Sequence, residues 1–137
     1  MRQSISGLLL VLAAIAILGS AALHGMVNVP HLRGDMVEIG VRPTLLGAVM
    51  LVLYFSVVAM FAFGALVLSG AVQAMRGASP GLAPLWVVAA SYVSFGLAAF
   101  FLVGRSPHFL GYSAMGLLVA AGAALRQGAG GRVRRAA

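Results

Sequence analysis

The chain has no cysteine, no lysine, one tryptophan and only two acidic residues, Asp35 and Glu38, among its 137 residues. Without cysteine there is no disulfide, no thiolate metal site and no cysteine nucleophile. Neither acidic nor basic residues fall deep inside an apolar run, which argues against an ion-coupled pump with a midplane carboxylate. Ser56, Ser91, Ser94 and Ser113 lie mostly inside apolar runs and none sits in a nucleophile elbow. No glycine-rich phosphate loop follows a strand, and no strand is expected. No motif names a reaction.

What is present is apolar. Hydrophobic residues make up 62 % and charged residues 8 %, with a mean hydropathy of +1.08. A soluble domain carries about 25 % charged residues, so a bilayer is the natural solvent. The +7 charge would suggest nucleic acid for a soluble chain. Here Arg126, Arg132, Arg134 and Arg135 gather at the C-terminus, and a membrane-topology role fits better than nucleic acid. Arg without Lys, on an Ala- and Gly-rich background, suggests a GC-rich bacterial genome.

Four spans are predicted, over about residues 5–23, 44–75, 82–103 and 107–125, near or above the ~20 residues that cross a bilayer. The first could instead be a signal peptide, with Arg2 as its basic start and Gly19-Ser20-Ala21 as a cleavage site. An uncleaved first helix completes an even bundle. The second span is too long for the hydrocarbon core, so it tilts, protrudes or breaks, with Ser69-Gly70 as its weak point. The link Gly104-Arg105-Ser106 forces the last two spans into an antiparallel hairpin. Residues 127–137 read as a disordered basic tail. The fold class is an all-α integral membrane protein, a four-helix transmembrane bundle with a short amphipathic interfacial helix before the second span. For close packing, Ala90, Ser94 and Ala98 form one small-residue stripe and Gly116, Ala120 and Ala124 another. Tyr54 and Tyr92 fall within spans, packed with their hydroxyls bonded across helices.

The polar stretch His24 to Arg42 holds both acidic residues and two of three histidines. On a helix His31, Asp35, Glu38 and Arg42 share a sector of roughly 60°, with Leu32, Met36 and Ile39 on the other side. Glu38 and Arg42 are spaced for an ion pair. His31, Asp35 and Glu38 could together hold a divalent metal. His24 and His108 fall at similar depth and are candidates for bis-histidine haem, although both sit at the rim. Neither cofactor is the leading expectation.

Arg2, Arg76, Arg126, Arg132, Arg134 and Arg135 share one side of a four-span topology, and Arg33, Arg42 and Arg105 the other. The inner membrane with both termini cytoplasmic follows from this bias. His24, His31, Asp35, Glu38, Arg42 and His108 then form an outer-face polar cluster. The leading functional expectation is an accessory or scaffold subunit of a membrane assembly, a homo-oligomer or part of a larger complex. Two alternatives are a small-solute or lipid-binding carrier opening at the non-cytoplasmic face, and a metal- or haem-dependent membrane oxidoreductase.

Overall fold

A computed structural model describes residues 2–78 and 81–133, with side-chain surroundings for 4–78 and 81–127. Among the described residues all regular structure is helical. Helix α1 spans Arg2–Leu23, passes through a π-helical turn at His24–Asn28 and continues as α2, Val29–Glu38. Helices α3 (Pro43–Met75), α4 (Ala83–Leu102) and α5 (His108–Val133) follow. Four helical segments are long and apolar enough to cross a membrane: Ser4–Glu38, Pro43–Met75, Ala83–Leu102 and His108–Gln127.

Glycines end three of these helices. Gly40, Gly77 and Gly104 have φ of +75°, +70° and +105°. In each case the next residue's N–H reaches back five residues, Val41 to Met36, Ala78 to Gln73 and Arg105 to Phe100. That is the Schellman closure, which a left-handed glycine makes at little steric cost. Pro43 and Pro84 stand in the first turns of α3 and α4, where a missing N–H costs nothing.

Helix α1 is central, packed on α3 along one side and on α5 along the other, while α4 packs on α5 and touches α3 only lightly. The core joins Leu10, Ala13, Ala14 and Ile17 of α1 to Val67 and Ala71 of α3, Val88, Ala89 and Tyr92 of α4, and Val119 and Ala123 of α5. Small residues set the spacing. A Cβ on Gly64 would come within 2.5 Å of Leu18 Cδ2, and one on Gly116 within 2.7 Å of the Ala89 carbonyl. Two polar groups seal the interior: Ser6 Oγ donates to the Gly122 carbonyl at 2.7 Å, and Arg126 donates to the Gly70 carbonyl at 3.0 Å and to the Ala78 carbonyl.

Several expectations need correction. The stretch before the second long helix is helical over Val29–Glu38 and continuous with the first helix. It belongs to one helical segment of 35 residues, Ser4–Glu38. The reason is packing: Val29 is buried and Met36 half-buried against Met50, Val57, Leu46 and Leu53 in a second, smaller core. Leu32 and Ile39 are exposed. Nor does α3 break at Ser69-Gly70. Gly70 admits Leu85 there, whose Cδ2 would lie 3.0 Å from an added Cβ.

The stripe Ala90, Ser94 and Ala98 faces outward, because α4 turns Ala89, Tyr92, Gly96 and Ala99 inward instead. Gly116 is buried at the α4–α5 seam, Ala120 is half-buried and Ala124 exposed. Helix α5 also continues to Val133, through most of the expected tail. Residues 134–137 lie outside the described residues.

The two hairpins differ in reach. Helix α3 has 33 residues and α4 has 20, about 50 Å against 30 Å at 1.5 Å per residue. Gly25 packs against Val57, whose Cγ1 would lie 3.0 Å from an added Cβ. Beyond that contact α2 and the first third of α3 pack on each other.

Candidate functional site

The light contact between α3 and α4 leaves a half-open cavity of about 320 Å³. The two helices meet where Leu85 covers Gly70 and where the Phe63 and Tyr92 rings approach edge to face at 6.2 Å. Helix α3 contributes one helical face to the cavity: Val52, Phe55, Ser56, Ala59, Met60 and Phe63. Ser91, Tyr92 and Phe95 form the α4 wall, Tyr112 comes from α5, and His24 from the π-helical turn. Phe55 is 72 % and Phe95 56 % exposed, so the lips of the cavity face outward.

The wall is mainly aromatic. Phe95 meets Tyr112 edge to face at 5.2 Å, and Tyr112 meets Tyr92 at 6.3 Å and the His108 ring at 6.2 Å. Connected rings therefore run from Phe63 through Tyr92 and Tyr112 to His108. Such offset and edge contacts are the favoured geometries of aromatic pairs.

One polar atom does not fit this apolar wall. Tyr92 is 5 % exposed, and its hydroxyl has no hydrogen-bond partner. Among the described residues it is the only buried side-chain polar atom left so. The expected cross-helix bond is absent, and the rings beside its own are those of Phe63 and Tyr112. By contrast Ser56 donates to the Leu53 carbonyl at 2.6 Å and Ser113 to the Val93 carbonyl at 3.2 Å. An enclosed hydroxyl without a partner costs roughly 1–3 kcal/mol.

The π-helical turn adds a second local departure. Its wider ring is closed by the Val29 N–H, which bonds the His24 carbonyl. Such turns are rare and concentrate at functional positions. Here the turn opens on His24, the residue that lines the cavity.

The outer-face polar cluster expected from sequence divides in two. His24 and His108 stand near the aromatic wall, His24 lining the cavity and His108 exposed, its ring 4.2 Å from Phe109 and its Nδ1 3.5 Å from Ser106 Oγ. His31, Asp35, Glu38 and Arg42 sit at the far tip of the longer hairpin, all exposed. His31 Nε2 is 3.9 Å from Asp35 Oδ2. Arg42 does not share the helical face with Glu38, because Gly40 reverses the chain between them and Arg42 is extended at ψ 136°. No three His, Asp or Glu side chains among the described residues, the candidates His31, Asp35 and Glu38 included, are grouped so that they could hold a metal ion.

The sequence reading missed the cavity lined by Phe55, Phe63, Tyr92, Phe95 and Tyr112. The available signal was the i, i+4, i+8 run Phe55, Ala59, Phe63 on one face of α3. Comparison with known protein families, curated proteins and solved structures finds no match to this chain.

Proposed function

We propose that this chain is a non-catalytic four-span protein of a bacterial inner membrane that takes a small lipophilic molecule from the bilayer into the cavity between α3 and α4. The observation that carries this reading is the half-open cavity of about 320 Å³ between α3 and α4, walled by aromatic and aliphatic side chains. Small-molecule sites share this composition, a mostly apolar wall with a few placed polar groups.

The membrane setting is supported by exposed side chains such as Ile15, Leu51, Phe55 and Val87, which are 60–73 % accessible. The 20 residues of α4 match the ~30 Å hydrocarbon core. An uncleaved first span is supported by the position of α1, whose Leu10, Ala13, Ala14 and Ile17 are fully buried in the core. The arginine bias supports cytoplasmic termini, which puts the cavity toward the non-cytoplasmic side. Ala59→Trp tests the reading by filling the cavity. Wild-type protein extracted in native lipid should carry a lipophilic molecule that the variant lacks. Equal retention by both, in folded protein, would contradict it.

A second reading, an accessory subunit, is supported by the outward stripe Ala90, Ser94 and Ala98 on α4. Small residues let membrane helices approach closely. Ser94→Leu should then reduce assembly, read by crosslinking in the membrane, with the monomer unaffected.

A further inference from the structure

We infer that the end of the bundle where α1 begins and α3 finishes holds an anionic phospholipid, with an acyl chain in the groove between these two helices and the phosphate at the level of Arg76. This draws on the membrane setting and is independent of the α3–α4 cavity.

The groove is a half-open space of about 490 Å³, lined by Ser4, Leu8 and Val11 of α1 and by Ala74 and Met75 of α3. A close approach of the helices shapes it. Gly7 is buried and admits Met75, whose Cγ would lie 3.0 Å from an added Cβ. Leu8 and Met75 are exposed, so the groove is open along its side. Four of its five lining residues are apolar, which suits a flexible hydrocarbon chain. Ser4 to Val11 covers about 10 Å along a helix axis. Arg2 opens α1 and Arg76 directly follows α3, so charge marks the outer end of the groove and apolar side chains its depth. A phospholipid has the same order, a charged head above an apolar chain.

The charge of this end selects the head. Arg76 is exposed. Arg126 donates to the Gly70 and Ala78 carbonyls, which are neutral, so its charge is not cancelled there. Both acidic residues of the chain, Asp35 and Glu38, belong to α2. That helix packs beside Leu46 and Met50, at the opposite end of α3. The arginines here therefore have no acidic side chain to balance them, and in a bilayer the nearest anions are lipid phosphates. A zwitterionic head brings its own cation, whereas an anionic head leaves its full charge for Arg76. Because the groove is open along its side, this lipid exchanges with the bilayer, and its binding is read within the membrane.

The chain's single tryptophan, Trp86, lies in the first turn of α4, outside the groove. Leu8→Trp combined with Trp86→Phe moves the fluorophore to the groove lining, where phospholipids brominated on their acyl chains quench it on contact. The full chain is reconstituted in phosphatidylcholine vesicles carrying either brominated phosphatidylglycerol or brominated phosphatidylcholine. A basic residue near an anionic lipid surface is worth about fivefold in affinity. With Arg2 and Arg76 both at this level, phosphatidylglycerol should be preferred about tenfold or more at the reporter. Arg76→Gln should lower that preference about fivefold, Arg76→Lys should keep it, and Arg33→Gln at the other end should leave it unchanged. Leu12→Trp, exposed one turn deeper on α1, should report the same preference without altering the lining. Equal quenching by the two lipids, or a preference untouched by Arg76→Gln, would overturn the assignment. The same preference at the native Trp86 would overturn the groove and leave only charge spread over this end of the bundle. Inorganic phosphate at constant ionic strength should not reverse the quenching; reversal would show a site for free anions and overturn the lipid.

Discussion

Tyr92 of α4 and Tyr112 of α5 lie with their ring centroids 6.3 Å apart and their planes at 37°, yet no hydrogen bond satisfies the Tyr92 hydroxyl. The ring is held by packing alone. Removing the hydroxyl therefore removes a buried polar group and no bond. Tyr92→Phe should raise stability by about 1–2 kcal/mol, measured by unfolding in mixed micelles. A loss of similar size would mean that the hydroxyl has a partner within the folded chain.

The α4–α5 seam gives a sharper contrast. A Cβ on Gly96 would meet Ser113, its backbone nitrogen at 2.6 Å, and the Phe109 carbonyl at 2.8 Å. Backbone atoms cannot swing aside. Gly96→Ala should cost about 1–3 kcal/mol through overpacking, whereas Ser94→Leu, two residues away on the exposed face, should leave monomer stability within about 0.5 kcal/mol. Thermal denaturation of both variants in the same detergent checks this. Equal losses would place Ser94 at the seam as well.

Arg126 joins the end of α5 to two carbonyls, Gly70 in α3 and Ala78 in the turn beyond it. Charge-assisted bonds of this kind are worth more than neutral ones. Arg126→Gln should destabilise by about 1–3 kcal/mol and speed proteolysis near Ala78. Unchanged stability and cleavage would reduce the contact to a surface one.

At the opposite end, His31 and Asp35 are exposed, with side chains 82 % and 57 % accessible. Exposed pairs contribute little. Replacing both by Ala should change stability by less than about 0.5 kcal/mol and leave cavity binding unaltered. Loss of binding in the double variant, with the fold intact, would return this tip to the site.

The absence of cysteine makes the topology directly measurable. Single cysteines at Val37, on the projecting tip, and at Arg76, beyond α3, lie at opposite ends of the long hairpin and are both exposed. With cytoplasmic termini, an impermeant maleimide should label Val37→Cys in intact spheroplasts and Arg76→Cys only after lysis. The reverse pattern would invert the orientation.

Hydropathy made the four long helices legible, because runs of apolar residues between arginines leave few alternatives. The closure at Gly104 was readable in the short link Gly104-Arg105-Ser106, whereas that at Gly40 was not, because one helix was expected to carry Glu38 and Arg42 through it. Nor was the continuity of α1 into α2. Polar residues from His24 onward read as an exit from the bundle, but Val29 and Met36 keep the helix on α3. The facing of α4 was hidden for a different reason. Ala, Ser and Gly occur on every side of that helix, so small-residue spacing alone could not distinguish Gly96 from Ser94. The cavity was least legible of all. Tyr92, Tyr112 and Phe63 come together from three helices, and no spacing within one helix encodes that meeting.

The most direct measurement is native mass spectrometry of the chain released from its source membrane, wild type beside Ala59→Trp. A lipophilic molecule held by the wild type at one per chain, and absent from the folded variant, is the result expected of a lateral binding site between α3 and α4. A bare wild-type chain, or the same adduct on both proteins, would contradict it.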